Sequence, residues 1–253
     1  MTDWNDLGIE LDRWAAARRN ATFWWRDDDA GPDDGKLDGF LAQRRDLDVP
    51  LALAVVPAWL ETATTEAILA DDGASVLQHG VSHTNRAGPD QRKTELCDSA
   101  LEGGLADAIA TAGRTLQAAF GTRFHTVMVP PWNRIDPQVA ASLSGLGLSG
   151  LSTLAPREIS RQLGLSIANM HLDIINWRAD RQFGGDAWCL DQAINHLVQR
   201  RTGISDPTEP TGLMTHHRVH DVDSCRFIDK FVSFVHEHPA AHWLDASEVF
   251  CST

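Results

Sequence analysis

Thr22-Phe-Trp-Trp-Arg-Asp-Asp-Asp-Ala30 (TFWWRDDDA) is the stretch that decides how this chain is read. Thr22 to Arg26 supply β-branched and aromatic residues that suit a pleated, half-buried strand, and the following Gly31-Pro32 is a turn signal. Asp27, Asp28 and Asp29 then stand side by side where the strand ends. Three adjacent carboxylates repel one another unless a cation or a basic group compensates them. Alone, such a triplet reads as a solvated acidic loop. What the rest of the chain brings to its other strand ends makes an ion-binding site the better reading.

A chain of 253 residues suits two small domains or one α/β barrel. No linker, low-complexity tract or repeat divides it, so residues 1–253 read as a single domain. Within it, residues 1–20 form an N-terminal helix packed across the barrel, with Trp4, Leu7, Leu11, Trp14 and Ala15 at helical spacing. The formal charge is −13 and no Lys/Arg run interrupts it, which argues against nucleic acid and anionic membrane surfaces as partners. No window of eighteen apolar residues exists, so no membrane span is expected. The opening MTDWNDLGIELDRW lacks the basic and apolar regions of a signal peptide. The four cysteines are scattered without a CxxC pair and read as free thiols in a reducing compartment. A cytoplasmic location follows as the expectation.

Strand and helix alternate along the chain. Strands are expected at 22–26, 50–56, 75–78, 124–129, 148–152, 168–176, 212–215 and 241–244. Helices are expected at 37–46, 59–70, 93–119, 136–146, 187–201 and 221–238, with Asp136 as an N-cap and Pro137 at N1. Pro50 to Val56 is a near-continuous apolar run, as in a strand buried on both faces. This alternation predicts a parallel sheet with right-handed crossovers.

The polar residues that matter sit at strand ends. Asp27 to Asp29, His79, Pro131-Trp132-Asn133-Arg134, Asp173 and His216-His217 each follow or close a strand. Parallel α/β folds gather those ends on one face, where their active sites lie. His79 and His83 are four apart, so a helical turn would aim both imidazoles at one ion. Two histidines and a carboxylate suit a divalent transition metal with open positions for water and substrate. His171 could share a strand face with Asp173 or be a satisfied core histidine. His196, His220, His236, His238 and His242 read as surface or packing residues.

In this order the motifs resemble the polysaccharide deacetylase family, carbohydrate esterase family 4, in its PPWN-containing branch. Asp28-Asp29-Ala30 stands where that family has Asp-Asp-Gly, and His79-Gly-Val-Ser-His83 matches its two-histidine motif. Val129-Pro130-Pro131-Trp132 matches the third motif without its Arg. Asp173-Ile-Ile-Asn176-Trp177 matches the fourth with Asn for the second Asp, and Leu213-Met-Thr-His216 approximates the fifth. The resemblance spans residues 22–217. It implies a distorted (β/α) barrel of about seven parallel strands and metal-dependent removal of an N-acetyl group from an amino sugar or saccharide. It also implies Asp28 as general base and Asp29, His79 and His83 as ligands of a divalent ion: zinc first, with cobalt, nickel or manganese as alternatives. His216 is implied as general acid, with His217 the alternative or a substrate contact, and Asp173 as the group that raises the acid's basicity. Pro131, Trp132, Asn133 and Trp177 would line the substrate groove, the backbone N–H of Trp132 helping to hold the oxyanion.

Three departures leave alternatives open. The base and ligand could be Asp27 and Asp28, one place earlier in the triplet. Asn176 cannot carry charge. The arginine that orients the base in the family is Val129 here, so another cation must do so, and Arg134 is preferred over Arg178 and Arg26 because it shares the PPWN loop. Hydrolysis of another non-peptide C–N bond, or an inert carbohydrate-binding barrel, are the competing functions.

Overall fold

A computed structural model of the chain describes residues 1–32, 35–157, 164–179 and 181–250. The expected parallel sheet is present. Its strands are β1 (Ala21–Ala30), β2 (Leu51–Val55), β3 (Ala74–His79), β4 (Phe124–Val129), β5 (Gly150–Leu151), β6 (Ser166–Ile167) and β7 (Leu172–Asp173). A short antiparallel pair, β8 (Ile175–Asn176) and β9 (Gln182–Phe183), follows, then β10 (Thr211–Thr215) and β11 (Ala241–Trp243). The order is β6-β5-β4-β3-β2-β1-β10-β7, with β11 beside the start of β1.

The expected strand 168–176 is instead one extended segment that borders both edges of the sheet. Its start pairs with β5 (Gly150↔Ser166, Leu151↔Ile167) and its end with β10 (Leu213↔Leu172, Met214↔Asp173). Between them Met170 N donates to Thr153 O (2.9 Å) and His171 N to Gly212 O (3.0 Å). The sheet therefore curls round on itself into a distorted barrel, with residues 166–173 as its seventh strand position.

Alternation along β1 sets the two layers, because successive strand residues point to opposite faces. Trp24 packs inside with Ala52, Ala54, Leu77, Val127, Val129, Met170 and Met214. Phe23 and Trp25 face outward into a larger core with Leu51, Leu53, Val55, Val76 and the helices. The interior is tight. A Cβ on Gly212 would overlap Met170 and the Asn169 carbonyl, and Trp24 Nε1 already donates to that carbonyl at 3.2 Å.

Helices α1 (Trp4–Ala16), α2 (Leu37–Leu47), α3 (Thr62–Leu69), α4 (Ala106–Phe120), α5 (Pro137–Ser142), α6 (Asp186–Thr202), α7 (Val222–His236) and α8 (Ala246–Val249) surround the sheet. As expected, α1 is capped by Asp3 and buries Leu7, Leu11 and Trp14. The long helix expected from residue 93 is corrected: regular α-helix begins only at Ala106, after turns in which Gly104 takes φ +85°. At α5 Asp136 stands at the N-cap and Pro137 at N1, as expected, but the side-chain cap bonds come from another residue. Asp136 makes none. Asp98 accepts from Gln138 N (3.0 Å) and Val139 N (3.1 Å) instead. Among the described residues no helix is long and apolar enough to cross a membrane.

Against α6, His171 and His196 stack face to face, with ring centroids 3.3 Å apart and 7° between planes. Glu209 lies beside them, its carboxylate 3.4 Å from His171 Nε2. The three offer metal-capable atoms within 4.8 Å of one another. The donor set does not suit an ion. Gly212 N–H donates to His171 Nδ1 at 3.0 Å, so the neutral ring carries its proton on Nε2, the atom beside the carboxylate. Two parallel stacked rings also cannot aim in-plane lone pairs at one point. The pair is a packed element of the core. Burial holds both imidazoles below their ordinary pKa, reinforced at His196 by His171 and then Arg200, and at His171 by Arg200 against the pull of Glu209.

Depressed folded-state values mean that the unfolded chain takes up more protons than the folded one below about pH 6.5. Stability from these rings is present above that pH and lost as pH falls. Each ring contributes a slope of up to about 1.4 kcal/mol per pH unit. Urea unfolding of the wild type and of His196→Gln between pH 7.5 and 5 is expected to show a shallower acid loss in the variant.

Candidate active site

The site forms where β1, β3, β4 and β10 end. Alternation assigns the aspartate triplet. Asp27 points outward and is committed to the β1–β10 junction. Its Oδ2 accepts from Thr215 Oγ1 (2.7 Å) and His217 N (2.9 Å), and its Oδ1 bonds His217 Nδ1 (2.5 Å). Burial would raise its pKa, but the charge and hydrogen bond of His217 outweigh this and hold it low. His217 is thereby corrected from an acid or substrate contact to a buried partner of Asp27, stacked on Phe40 behind the strand.

Asp28 points inward, and both its oxygens meet Arg26, two residues earlier on the same face. Arg26 Nε lies 2.8 Å from Oδ1 and Nη2 2.9 Å from Oδ2. The guanidinium is wholly buried and also donates to Ser152 Oγ (2.6 Å) and Asn133 Oδ1 (2.7 Å). The expectation that Arg134 would hold Asp28 is thus corrected. Arg134 turns away and donates to Lys93 O (3.0 Å), and Arg178 is exposed. Arg26 can take the place because i and i+2 on a strand share a face.

Adjacent strand residues normally diverge, yet Asp29 faces the same pocket as Asp28. A β-bulge does this. The pairing with β2 advances three residues from Asp27 to Ala30 against two from Leu53 to Val55, and Asp29 takes φ +69°. Its Oδ1 then lies 3.1 Å from His79 Nε2 and 3.2 Å from His83 Nε2. Burial would raise Asp29, but hydrogen bonds from the two histidines dominate and hold it far below the usual carboxylate range.

His79 ends β3 and donates Nδ1–H to Val129 O at 2.9 Å. His83 reaches the same point from an irregular loop, which corrects the expected helical turn. The loop is organised by Glu95, a fully buried carboxylate that the sequence did not single out. It accepts from Val81 N (2.9 Å), Ser82 N (2.8 Å), Ser82 Oγ (2.8 Å) and His83 N (3.3 Å). Gly80 sits at φ +58° where any Cβ would overlap Glu95 and Pro131, so glycine is required there. His83, at φ +55°, packs between Trp59 (5.2 Å between ring centroids) and Trp132 (4.4 Å). Trp132 and Asn133 are both left-handed, which aims one ring at His83 and one amide at Arg26.

On the opposite side, His216 follows β10 with its ring 4.7 Å from Trp177, edge to face. Its Nδ1 is buried without a hydrogen-bond partner among the described residues. Asp173 accepts from Ile175 N (3.0 Å) and Trp177 Nε1 (2.9 Å). Its hydrogen bonds therefore position Trp177, and it acts on His216 through charge. Burial raises the Asp173 pKa while the charge of His216 opposes that rise. Asn176 accepts from Arg178 N (3.2 Å) and Ala179 N (3.3 Å), a turn-forming role.

No protein-family profile matches the chain, and no curated protein does. Solved structures do. A Mycobacterium smegmatis protein described as a polysaccharide deacetylase superposes with a TM-score of 0.64 at 15% identity, covering 91% of this chain and 89% of that one. The Bc1960 peptidoglycan N-acetylglucosamine deacetylase gives 0.55 at 14%, covering 100% and 99%. A family 4 acetyl xylan esterase from Clostridium thermocellum, solved with a cobalt ion, gives 0.53 at 13%, covering 90% and 89%. The chain therefore has the fold of the carbohydrate esterase family 4 deacetylases, as its motif order implied.

Because Glu95 holds the His79–His83 loop through several charged hydrogen bonds, Glu95→Gln is expected to weaken divalent metal binding roughly 10–100-fold. Titration of the metal-free protein with zinc, followed by calorimetry, measures this. Unchanged affinity would show that the loop holds its shape without Glu95.

Proposed function

We propose that this protein is a metal-dependent hydrolase that removes an N-acetyl group from an amino sugar or saccharide. One observation carries the reading: the donor atoms of Asp29, His79 and His83 converge beside a carboxylate, Asp28, that a buried arginine clamps. The residues fit a divalent ion. His79 Nδ1 faces a carbonyl, which can only accept, so neutral His79 presents a lone pair at Nε2. That lone pair meets an Asp29 oxygen at 3.1 Å, an acceptor facing an acceptor, unless a proton or a cation lies between them. Zinc is the first choice for two imidazoles and a carboxylate with open positions, and cobalt, nickel or manganese also suit. When bound, the ion lowers the pKa of water and polarises the amide carbonyl.

The chain's own residues do the rest. Asp28 stands next to the ligand Asp29 and takes the proton of the attacking water, a step that contributes about 10²–10⁴-fold. Arg26 keeps Asp28 in one rotamer through two charge-assisted hydrogen bonds. Trp132 walls the acetyl pocket, and its backbone N–H is the donor for the oxyanion. His216, across the site, protonates the leaving amine so that it departs neutral, with Asp173 near enough to interact with it through charge. The inert-barrel reading rested on the missing third-motif arginine and on Asn176 in place of the fourth motif's second Asp. Arg26 supplies a guanidinium fork to Asp28 from within β1 instead of from the end of β4, which supports the active reading.

Arg26→Lys retains the charge but not the fork. It is expected to lower kcat/KM on an N-acetylated sugar at least tenfold, about 1.4 kcal/mol, with metal content unchanged. Arg134→Ala is expected to remain near wild type. The reverse pattern would return the orienting role to Arg134. Separately, Asp28→Asn is expected to keep stoichiometric metal and lose about 10²-fold or more in kcat. Loss of the metal in that variant would make Asp28 a ligand instead.

A further inference from the structure

We propose that a cavity at the N-terminal end of the barrel, on the face away from the candidate active site, binds a phosphate group. The cavity lies between the end of α1, the end of α6 and the segment that leads into β10. It encloses about 640 Å³, within the roughly 300–1,000 Å³ of ligand sites. Asn20 lines it just before β1 begins at Ala21, whereas Asp28 and Asp29 stand near the other end of that strand. About 25 Å of extended chain therefore separates the two sites.

Charge and burial point to an anion. The chain carries a formal charge of −13, yet three guanidinium groups, Arg19, Arg200 and Arg201, line this one cavity. Arg201 is paired: its Nε and Nη2 meet the Glu10 carboxylate at 2.6 and 3.0 Å. Arg19 and Arg200 make no ion pair among the described residues. Both lie against Trp14, 4.6 and 5.0 Å from its ring centroid. Arg19 is half-buried and donates to Arg201 O at 3.1 Å. Arg200 is 1% exposed and donates only to neutral oxygens: Thr22 O (2.9 Å), Thr22 Oγ1 (2.8 Å) and Thr211 Oγ1 (3.0 Å). Its Nε, like the neighbouring Trp14 Nε1, is buried without an acceptor among the described residues. Burial draws the Arg200 pKa down to about 10, Glu209 opposes this through charge, and Arg19 adds to it. A guanidinium held in this way is costly, and an anion close to it offsets the cost.

The carboxylates nearby are engaged elsewhere. Asp206 accepts from Arg157 Nε (3.0 Å) and Thr208 N (2.9 Å), and Glu209 from Arg157 N (2.6 Å) and Asn169 N (2.9 Å). No Asp or Glu lines the cavity. Once Arg201 is matched by Glu10, two cations remain without a partner of opposite charge, which suits a dianion better than a single carboxylate. A phosphate group carries about −1.5 to −2 charge at neutral pH, and the planar guanidinium fork matches its oxygens. The carbonyl end of α6 also meets this cavity, and Arg19 answers it with its one bond to Arg201 O. The volume exceeds what a bare ion fills, so the phosphate can be free or carried on a small molecule.

The test titrates the metal-loaded protein with inorganic phosphate at low ionic strength, followed by calorimetry. Saturable binding is expected, with Tm rising by about 2 °C or more once phosphate reaches roughly ten times its Kd, compared with chloride at matched ionic strength. Arg19→Gln is expected to weaken binding about tenfold or more, and Arg19→Lys to retain most of it. Arg226→Gln removes the same charge from an exposed position on α7 and is expected to change nothing. No saturable binding in the wild type, affinity retained in Arg19→Gln, or an equal loss in Arg226→Gln overturns the site; retention in Arg19→Gln would put the ion elsewhere, the metal included. Phenylglyoxal labelling of the wild type, mapped by mass spectrometry, gives an answer even if a variant does not fold. Phosphate is expected to slow labelling of Arg19 and not of Arg226, and no slowing, or equal slowing of both, overturns the site. Glucose 6-phosphate separates the two sources: binding tenfold tighter than inorganic phosphate assigns the cavity to a phosphorylated small molecule, and equal or weaker binding assigns it to the free ion.

Discussion

A guanidinium buried inside the barrel is the constraint on which the site depends. Arg26 has no exposed surface and reaches Asp28 on β1, Asn133 after β4 and Ser152 after β5. An unpaired charge in such a place would be strongly destabilising, so the partners are as necessary to Arg26 as it is to them. One side chain thereby ties three strand ends together and sets the position of the proposed base. The apolar interior below it, Trp24 with Ala52, Ala54 and Val127, keeps water from competing for those hydrogen bonds.

Local backbone strain aims the remaining groups. Asp29, His83, Trp132 and Asn133 all take positive φ although none is glycine. Left-handed conformations in such residues persist only where surrounding contacts over-determine them. Those contacts are present here: the β1 bulge, the Glu95 carboxylate under the His79–His83 loop, and the Arg26–Asn133 bond under the PPWN turn. The strain places two imidazoles and a carboxylate within reach of one point, which regular strands and helices could not do.

Much of this was legible in the chain. Apolar runs such as Leu51 to Val55 marked buried parallel strands, and polar groups at their ends marked the face of the site. Spacing pointed to His79 and His83, and the family resemblance to Asp28, Asp29 and His216; the structure brings the first two together with Asp28 and Asp29, with His216 opposite. The cation beside Asp28 is Arg26 and not Arg134, although Arg134 is the nearer in sequence to the PPWN turn. Strand alternation puts Arg26 on the face of Asp28, so this contact is legible in the sequence. Glu95 gave no signal, since its importance lies in backbone N–H groups that carry no sequence information.

What the sequence by itself determined is the set of elements and the kinds of chemistry at their ends, because hydrophobic periodicity and turn residues act locally. Tertiary structure decided the pairings. Asp27 went to His217 and Asp28 to Arg26, the α5 N–H groups went to Asp98 rather than Asp136, and residues 166–173 came to border both sheet edges. Each of these depends on which groups far apart in the chain are buried side by side. A buried charge or N–H takes the partner that geometry brings to it, and not the one nearest in sequence.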